Sequence, residues 1–278
     1  MTDDMLDVWR ESAQYWTRHS DTIHQMFAPL TRALIERAGI VAGQDVLDVA
    51  GGAGEPSLTI AEAVGPRGTV TCTDGVAEMV EAARAEAQRR GITNVRFRQC
   101  AADSLPFPDE SFDVVVSRLG VMFFPVEAFR EMLRVLKPGG RLAFAVWGKS
   151  DVNPFCYCVT RVLEQHVKSP AADPDAPNAF RFAEPGTLAD VMTQAGAIDV
   201  EERIVSFDIA APISARQFWT MRSQTSDTLR EKLAKLSAGE QAQIAVEVEQ
   251  AVQEFFPSNQ MQFPAQLLIA TGKKRSNG

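Results

Sequence analysis

The fold is decided in residues 46–56, which read VLDVAGGAGEP. The stretch begins as an apolar, strand-forming run and then places three glycines within four positions, Gly51, Gly52 and Gly54. Because glycine lacks a Cβ atom, such a backbone can turn sharply and let a ligand lie against its amide groups. One glycine would indicate only a tight connection between a strand and a helix. Three together predict a nucleotide-binding turn.

Strand-like and helix-like runs alternate around this turn. The predicted strands are Asp45–Ala50, Thr69–Thr73, Val95–Gln99, Val114–Ser117 and Arg141–Val146. The predicted helices between them are Ser57–Ala63, Ala77–Arg90 and Val126–Leu136. This alternation predicts parallel strands with helices packed on both faces of one sheet. The unbroken apolar run at 114–116 is typical of a strand that is buried on both sides.

The segments outside this alternating part have a different pattern. Residues 5–38 are amphipathic and read as helical up to Gly39, with Pro29 expected to end or kink a turn. Pro56 is expected in the first turn of the helix that follows the glycines. Residues 148–186 contain five prolines, which favours a long, partly helical excursion that acts as a lid or binding segment.

Regular structure is predicted again beyond that excursion. It comprises a helix near Thr187–Ala195, a strand near Val200–Phe207, helices up to about Phe256 and a final strand near Gln266–Thr271. The chain is therefore interpreted as a single domain over residues 1–278. Its expected parts are an N-terminal helical cover (1–40), a cofactor-binding core (41–150), a lid insertion (151–186) and C-terminal strands and helices (187–278).

Charge and hydropathy exclude several classes of partner. The 278 residues include 36 Asp and Glu against 28 Lys and Arg, which gives a net charge of −8. Such an acidic surface is a poor partner for nucleic-acid phosphates or anionic membranes. No run approaches the roughly 20 apolar residues of a membrane span, and the start MTDDML is acidic where a secretory signal is basic. We therefore expect a cytoplasmic protein with a small-molecule partner, either a monomer or a homodimer.

The four cysteines do not form a metal-ligand pattern. Cys72 and Cys100 lie in strand-like runs and are expected to be small buried side chains. Cys156 and Cys158 are separated by one residue, which is not the spacing of a zinc pair, and the sequence has no second pair. No metal is predicted.

The residues around the glycines argue against a phosphate group in the ligand. A Walker loop requires Gly-Lys-Ser/Thr at the end of its glycine turn, whereas Gly54 is followed here by Glu55 and Pro56. A dinucleotide site points a helix N-terminus at a pyrophosphate, but here Glu55 stands at the helix entrance and would repel it. Asp74 ends the second strand, where an acid can accept hydrogen bonds from ribose hydroxyls. A cationic nucleoside without phosphate satisfies these constraints, and S-adenosylmethionine is such a ligand.

Four blocks in order resemble the class I S-adenosylmethionine-dependent methyltransferases, and in particular the ubiquinone/menaquinone-biosynthesis C-methyltransferase-like group. They are VLDVAGGAGEP, with Ala50 in place of the commoner first glycine, then TVTCTDGVAEMVEAAR, CAADSLPFPDESFDVVVSR and MLRVLKPGGRLAFAVW. The resemblance is strong over residues 40–150 and loose elsewhere. It implies an α/β, Rossmann-like, doubly wound and mostly parallel seven-stranded sheet with an antiparallel last strand, together with helical lid insertions.

The resemblance also implies which residues hold the cofactor. Asp74 would bind the ribose, and Met79 would pack on the adenine. Where relatives often carry an acidic or amide residue in the adenine loop this chain has Ala101, so the polar contact falls to Asp103 or to backbone near Ala102. The complete predicted cofactor set is Tyr15, Asp48, Ala50, Gly51, Gly52, Gly54, Asp74, Gly75, Met79, Ala102, Asp103 and Ser117.

The acceptor side of the site is predicted from less specific signals. Methyl transfer is an in-line displacement, so positioning and exclusion of water supply much of the catalysis and a base is optional. His19 and His24 are the candidate bases, with ordinary packing or surface histidines as the alternative. Arg118 could orient an acidic substrate or pair with a structural acid. The predicted substrate pocket comprises Trp16, Arg118, Met122, Phe123 and Trp147.

The sequence therefore predicts methyl transfer from S-adenosylmethionine to a small, largely apolar acceptor, aromatic or quinol-like, at oxygen or carbon. Three alternatives stay open. One is a non-catalytic protein that binds the same cofactor, and another is a methyltransferase for a thiol or an arsenical, suggested by Cys156 and Cys158. The third is a nicotinamide-dependent oxidoreductase, which the absent phosphate site disfavours.

Overall fold

A computed structural model describes residues 3–167 and 177–276. Within these ranges the helices are α1 (Asp3–Arg18), α2 (Ser20–Ala38), α3 (Ser57–Val64), α4 (Ala77–Arg90), α5 (Val126–Val135), α6 (Pro154–His166), α7 (Thr187–Ala195), α8 (Ala215–Thr225), α9 (Asp227–Leu233) and α10 (Ala238–Ala251). The strands are β1 (Asp45–Val49), β2 (Thr69–Asp74), β3 (Val95–Gln99), β4 (Phe112–Arg118), β5 (Leu136–Trp147), β6 (Ile198–Ala211) and β7 (Met261–Lys273). Residues 168–176 of the expected lid lie outside the described residues.

The seven strands form one sheet in the order β3-β2-β1-β4-β5-β7-β6. The first five pair in parallel, whereas β7 lies antiparallel between β5 and β6. This arrangement confirms the expected fold class, a mostly parallel sheet whose last strand is reversed. The strand order changes direction between β1 and β4. At such a switch point the carboxyl ends of the strands form a crevice that binds ligands.

The centre of the sheet is almost completely apolar. Val114, Val115 and Val116 of β4 are at most 1% exposed, as the unbroken apolar run predicts. Leu142–Trp147 of β5 and Val46–Val49 of β1 are buried on either side. Burial of this area is the main favourable term in folding. It also holds the strand ends, and the loops that leave them, in fixed positions.

The N-terminal helical segment breaks at a different place from the one expected. Residue His19, with φ −104° and ψ 14°, separates α1 from α2, and α2 then continues through Pro29 to Ala38. Proline removes one backbone hydrogen bond from a helix interior. Here the loss is offset by the apolar face of α2, where Met26, Leu30 and Leu34 are buried. The prediction of an interruption at Pro29 was therefore wrong.

Two other predicted boundaries differ in the structure. Pro56 precedes α3, whose first residue is Ser57, and the Glu55–Pro56 peptide bond is cis. The segment around Gly139, which lies between the predicted helix Val126–Leu136 and the predicted strand Arg141–Val146, belongs to an extended β5 that starts at Leu136. Gly139 donates its N–H to the carbonyl of Lys274, and Lys274 donates to the carbonyl of Gly140. This pairing with the residue after β7 keeps the segment extended despite the φ of +76° at Gly139.

Membrane insertion by a helix is not supported by the described ranges. None of the helices within residues 3–167 and 177–276 is both long and apolar enough to span a membrane.

The connection from β5 to α6 is fixed by one buried amide side chain. Asn153 is fully buried, and its Nδ2 donates to the carbonyls of Lys149 and Gln266 at 2.8 and 3.0 Å. Its Oδ1 accepts from the N–H of Gln266 at 2.9 Å. The side chain therefore joins the start of α6 to β7 and satisfies three backbone groups.

We expect Asn153→Ala to lower the free energy of unfolding by about 2–3 kcal/mol, because buried backbone groups lose their partners. Urea denaturation followed by circular dichroism measures this loss. Gln165→Ala, an exposed position on α6, is the matched control and should be neutral. A loss below about 0.5 kcal/mol in Asn153→Ala would contradict the assigned role.

Candidate functional site

The glycine turn follows β1 at the switch point of the sheet. Ala50 adopts a φ of +59°, and Gly52 and Gly54 adopt +54° and +114°. The N–H of Gly51 donates to the carbonyl of Thr73 on β2 at 2.9 Å, and the N–H of Gly54 donates to the carbonyl of Gly51 at 3.0 Å. The turn is thus an ordered structure anchored to the neighbouring strand.

Gly51 and Gly52 are required for different reasons. A Cβ atom on Gly51 would lie 2.6 Å from Cys72 Sγ and 2.9 Å from Asp48 Oδ2, so no side chain fits there. A Cβ atom on Gly52 would meet no atom within 4 Å, although its positive φ is unfavourable for other residues. Gly51 is therefore a packing residue. Gly52 presents bare backbone to open space, which is the property that a ligand-binding turn needs.

Asp74, the last residue of β2, is bound to this turn. Its Oδ2 accepts the N–H of Gly52 at 3.0 Å, and its Oδ1 accepts the N–H of Val76 at 2.9 Å. Burial raises the pKa of Asp74, and hydrogen bonds from the backbone N–H groups of Val76, Gly52 and Gly75 act against this rise. The carboxylate is only partly exposed, and each of its oxygens retains a lone pair that can accept from a ligand hydroxyl.

Asp48 lies beneath the turn and is completely buried. Ser57 Oγ donates to its Oδ2 at 2.6 Å, whereas Oδ1 has no hydrogen-bond partner among the described residues. Burial raises the pKa of Asp48 to about 7, although the Ser57 hydrogen bond and the charge of Arg118 act in the opposite direction. The buried hydroxyl of Ser117, on β4, is likewise without a partner in the described part of the chain. Both orphaned groups lie near the carboxyl ends of central strands.

Glu55 is held by three side chains at the entrance to α3. Its Oε1 lies 2.9 Å from His24 Nδ1 and accepts a hydrogen bond from Arg90. Its Oε2 accepts from Thr59 Oγ1 at 2.7 Å. The candidate base His24 is therefore engaged with a carboxylate, and Glu55 provides fixed negative charge beside the turn.

Arg118 connects the end of β4 to α2 and to the glycine turn. Its Nη1 donates to Thr31 Oγ1 at 2.7 Å, and its Nη2 donates to the carbonyl of Glu55 at 3.1 Å. Burial lowers the pKa of Arg118, and the negative charges of Glu55 and Asp48 oppose this shift. The bonded partners of Arg118 are thus a hydroxyl and a backbone carbonyl rather than the acid side chain that one of the two expected roles required, and orientation of an acidic substrate stays a prediction.

Helix α1 packs over the start of α4 beside the turn. Ala13 of α1 forms a small apolar cluster with Val76 and Met79, against which Ala53 of the turn also packs. Trp9 and Trp16 pack against the same cluster, with ring centroids 6.2 Å apart. The Nε1 of Trp16 is buried without a partner among the described residues.

Aromatic rings form two groups above the carboxyl ends of the strands. In the first, Trp9 meets Trp16 and, edge-on at 5.7 Å, Phe123. In the second, Trp147 at the end of β5 stacks on Phe155 at 6.1 Å, and Phe27 of α2 meets both rings edge-on. The first group is partly exposed and supplies apolar surface beside the turn, whereas Phe27, Trp147 and Phe155 are at most 8% exposed and belong to the hydrophobic core.

The structure brings most of the predicted site residues together. Around the turn it places Asp48, Ala50, Gly51, Gly52, Gly54, Asp74, Gly75 and Ser117, with Met79 under α1 and with Trp16, Arg118, Phe123 and Trp147 nearby. Met122 is 2% exposed and belongs to the hydrophobic core. Ala102 and Asp103 lie in the loop after β3, both partly buried.

Two predicted residues have partners outside the glycine turn. Tyr15 lies between Arg18 and Arg230, with the Cζ atoms 5.6 and 5.4 Å from its ring centre, on a different side of α1 from Ala13 and Trp16. The Nε2 of His19 lies 2.9 Å from Oε1 of Gln224 on α8. Its part in catalysis stays a prediction.

Sequence reasoning missed two residues next to predicted site residues, Phe27, which lies under the Arg118 guanidinium, and Gln224, which bonds to His19. Each belongs to a helix outside the alternating strands, where ordinary amphipathic periodicity conceals its position. The signal that could have found Phe27 is its position on the same helix as the candidate base His24, one turn away.

The two neighbouring cysteines of α6 have the properties of unreactive thiols. Burial raises the pKa of both Cys156 and Cys158 to about 11. Because the thiolate is the nucleophilic and metal-binding form, neither is activated. No cluster of three or more metal-ligating side chains occurs within the described ranges.

The residues at the turn fit a nucleoside cofactor with a positive charge. Gly52 opens onto free space, Asp74 is beside it, and Asp48 Oδ1 and Ser117 Oγ are orphaned polar atoms nearby. Glu55 adds negative charge at the end of the helix where a dinucleotide would place phosphate. This set favours S-adenosylmethionine over a nucleotide that carries phosphate.

Comparison with known proteins supports the same class. Residues 40–169 match the family model described as a methyltransferase domain. The ubiquinone/menaquinone biosynthesis C-methyltransferase of Pseudomonas aeruginosa (strain LESB58) is 40% identical over 137 residues, which are 48% of this chain and 52% of that protein. The chain thus spans about half the length of the curated relatives it matches.

Two solved structures share the fold. The YcgJ protein of Bacillus subtilis superposes with a TM-score of 0.54 at 24% identity, over 89% of this chain and 98% of that one. A SAM-dependent methyltransferase from Aquifex aeolicus gives 0.52 at 22% identity, over 70% and 91%. The predicted resemblance is confirmed: residues 40–169 are similar to the methyltransferase-domain family, and the fold is shared with a SAM-dependent methyltransferase from Aquifex aeolicus.

Because the folded protein disfavours ionised Asp48, replacing it with neutral Asn should stabilise the protein at high pH. The pKa is raised from 3.8 to about 7, so the wild type loses stability as the pH rises between these values. We expect the advantage of Asp48→Asn to be small near pH 4, to grow up to about pH 7 and then to level off at no more than about 4 kcal/mol.

Urea denaturation of both proteins at several pH values measures this difference. Asp151→Asn, at an exposed position, is the matched control and should give a curve parallel to that of the wild type. A difference between Asp48→Asn and wild type that is constant from pH 4 to pH 8 would contradict the raised pKa.

Proposed function

We propose that the protein transfers a methyl group from S-adenosylmethionine to a small, largely apolar acceptor, aromatic or quinol-like, at oxygen or carbon. The observation that carries the proposal is the glycine turn bonded to Asp74, with the aromatic rings of Trp9, Trp16 and Phe123 beside it. The Pseudomonas relative is a ubiquinone/menaquinone biosynthesis C-methyltransferase, which supports an aromatic acceptor.

Three parts of the site have distinct roles toward the cofactor. Asp74 would accept hydrogen bonds from the ribose hydroxyls, and the backbone of Gly52 would lie against the ligand. Glu55 would favour a cation through its negative charge and potential, and Asp48 would offer its orphaned Oδ1 as a polar atom beneath the turn. The bound cofactor supplies a methyl group on a positively charged sulfur, which leaves as a neutral thioether once the methyl is transferred.

The protein's own contribution to the reaction is to position the acceptor and exclude water. Trp9, Trp16 and Phe123 would cover the site from α1 and from the loop after β4. Holding two reactants in line can lower the activation free energy by about 7 kcal/mol or more. The acceptor atom itself attacks the methyl group, so the displacement needs no charged group from the protein.

A base, where the acceptor needs one, would be His19. Because the amide oxygen of Gln224 only accepts, Nε2 of His19 donates to it and Nδ1 stays free to accept a proton. His24 faces the carboxylate of Glu55 and is the weaker candidate. An imidazole titrates near neutral pH, which suits the deprotonation of a phenol or an activated carbon.

The alternatives receive less support. A thiol or arsenical acceptor would be recognised by reactive thiols, whereas burial keeps those of Cys156 and Cys158 protonated. A nicotinamide cofactor would bring phosphate next to Glu55. A non-catalytic binding protein would not need the aromatic surface beside the turn. The division into a cover over 1–40, a core over 41–150 and a lid over 151–186, the cytoplasmic location and a monomeric or homodimeric state remain part of the proposal.

The cofactor assignment predicts that Asp74→Asn binds S-adenosylhomocysteine about 10- to 100-fold more weakly, because a charge-assisted acceptor contributes about 1.5–3 kcal/mol. Isothermal titration calorimetry measures the affinity. Asp199→Asn, an exposed acid on β6, is the control. Equal affinity in Asp74→Asn and wild type would remove Asp74 from the cofactor site.

A matched pair of glycines tests the turn itself. Gly43 and Gly52 both have positive φ and no atom within 4 Å of a Cβ position, so Val at either costs similar stability. Only Gly52→Val should abolish cofactor binding, because only Gly52 would face the ligand. Cofactor binding by a natively folded Gly52→Val would mean that the turn is purely structural.

The base assignment predicts that His19→Ala lowers the turnover number about 100-fold or more without changing cofactor affinity. Release of S-adenosylhomocysteine from a panel of phenols, quinols, thiols and amines gives the rates. His166→Ala, in which a histidine paired with Glu247 is removed, should retain full turnover. Full activity of the His19→Ala, His24→Ala double variant would leave a reaction driven by proximity alone.

A further inference from the structure

Helix α1 lies on the glycine turn with one of its faces. Ala13 on that face is buried in a small apolar cluster with Val76 and Met79, and Trp16 packs against the same cluster. Ala53 of the glycine turn also reaches it. The three buried residues of this cluster do not belong to the main hydrophobic core. Because apolar stabilisation scales with buried area, so small a cluster contributes only part of what keeps α1 in place.

A neighbouring face of α1 is attached to α9 by one arginine. The Nη2 of Arg230 donates to Ser12 Oγ at 2.7 Å, and its Nη1 donates to the carbonyl of Gln224 at 2.6 Å. Its Cζ lies 5.4 Å from the ring centre of Tyr15. Ser12 is 1% exposed, and its hydroxyl donates in turn to the carbonyl of Val8 at 3.0 Å. A single guanidinium therefore bonds α1 to the end of α8.

Gln224 provides a further connection between the same helices. Its carbonyl accepts from Arg230, and its Oε1 lies 2.9 Å from Nε2 of His19, the residue that follows α1. Ser12, Tyr15 and His19 repeat at intervals of three and four residues, so they share one side of the helix. This side is about a quarter of a turn away from the face that meets the glycine turn. Helix α1 is thus held between the glycine turn and the corner formed by α8 and α9.

The attachment of α1 bears on cofactor binding because α1 packs directly beside the backbone of Gly52. An element held by few apolar contacts opens locally more often than the core of the protein does. The apparent affinity for a ligand falls in proportion to the fraction of molecules in the binding-competent state. Each bond that keeps α1 on the turn therefore raises the affinity for the cofactor without touching it.

We propose that Arg230 is a positioning residue of the cofactor site, which holds α1 against the glycine turn and thereby slows release of the cofactor. This inference rests on the proposed function, because it takes the turn as the place where the cofactor binds. Only a planar guanidinium reaches two separate acceptors in fixed directions, here Ser12 and the carbonyl of Gln224. Tyr15, predicted to touch the cofactor, acts in this assignment through the helix to which it belongs.

The experiment measures how well the full chain retains S-adenosylhomocysteine. Calorimetry gives the affinity, and surface plasmon resonance with the protein immobilised gives the dissociation rate. We expect Arg230→Gln to bind about tenfold more weakly, with most of the change in the dissociation rate. Arg230→Lys should recover only part of this loss, because an ammonium group cannot span both acceptors.

A double variant tests whether Ser12 acts through Arg230. Ser12→Ala removes one of the two hydrogen bonds and should weaken binding in the same direction but by less. The Ser12→Ala, Arg230→Gln double variant should bind no more weakly than Arg230→Gln alone, because the two residues share one interaction. Additive losses would mean that the two side chains act separately and would overturn the proposal.

The control is Arg216→Gln, which removes an arginine of α8 that is 81% exposed and pairs with Glu249. It should leave affinity and dissociation rate unchanged. Hydrogen exchange of the ligand-free chain separates a local effect from a global one. In Arg230→Gln the amides of residues 6–17 should exchange faster, whereas those of β4 and β5 should keep their wild-type protection. Faster exchange in β4 and β5 as well would indicate a structural arginine and would overturn the proposal.

Two other outcomes would also contradict the assigned role. Wild-type affinity in Arg230→Gln, together with faster exchange in α1, would show that α1 does not retain the cofactor. Weaker binding with unchanged exchange in α1 would show that the guanidinium acts on the ligand directly. Absence of S-adenosylhomocysteine binding to the wild type would be a failure of the proposed function and is measured separately.

Discussion

The hydrogen bond between the Gly52 amide and the Asp74 carboxylate is the contact on which the site depends. It joins a turn made of bare backbone to the end of the neighbouring strand, and it fixes the position of both. The turn keeps its shape because the space behind Gly51 is filled by Cys72 and Asp48. A ligand that lies against Gly52 is therefore met by a carboxylate that is already oriented. Such preorganisation reduces the entropy lost on binding.

Negative charge is concentrated under and beside the turn, and positive charge is distributed around the aromatic rings. Asp48, Glu55 and Asp74 lie on the cofactor side, with Arg118 between them and the rings. Under the proposed function, this arrangement would separate a cofactor half from an acceptor half. Opposite preferences of the two halves help each ligand to select its own place.

The sequence predicts the sheet better than it predicts the walls of the acceptor site. Periodicity and glycine spacing reveal β1 to β5 and the turn because these features are local. The N-terminal break was misplaced because the cost of Pro29 is local, whereas burial of Met26, Leu30 and Leu34 depends on tertiary contacts. Gln224 could not be assigned as a partner of His19 for the same reason, since only packing of α8 against α1 brings the two side chains together. A sequence pattern does not show which helix faces will pack against each other.

The position of β7 between β5 and β6 has a consequence for synthesis of the protein on the ribosome. β6 precedes β7 in the chain but contacts the sheet only through it. Until residues 261–273 have emerged, β5 exposes a row of unpaired backbone groups, and the long strand β6 has no neighbour. Open strand edges of this kind are the ones that bind other nascent chains. The charged run Glu201, Glu202 and Arg203 in the middle of β6 would then limit aggregation during that interval.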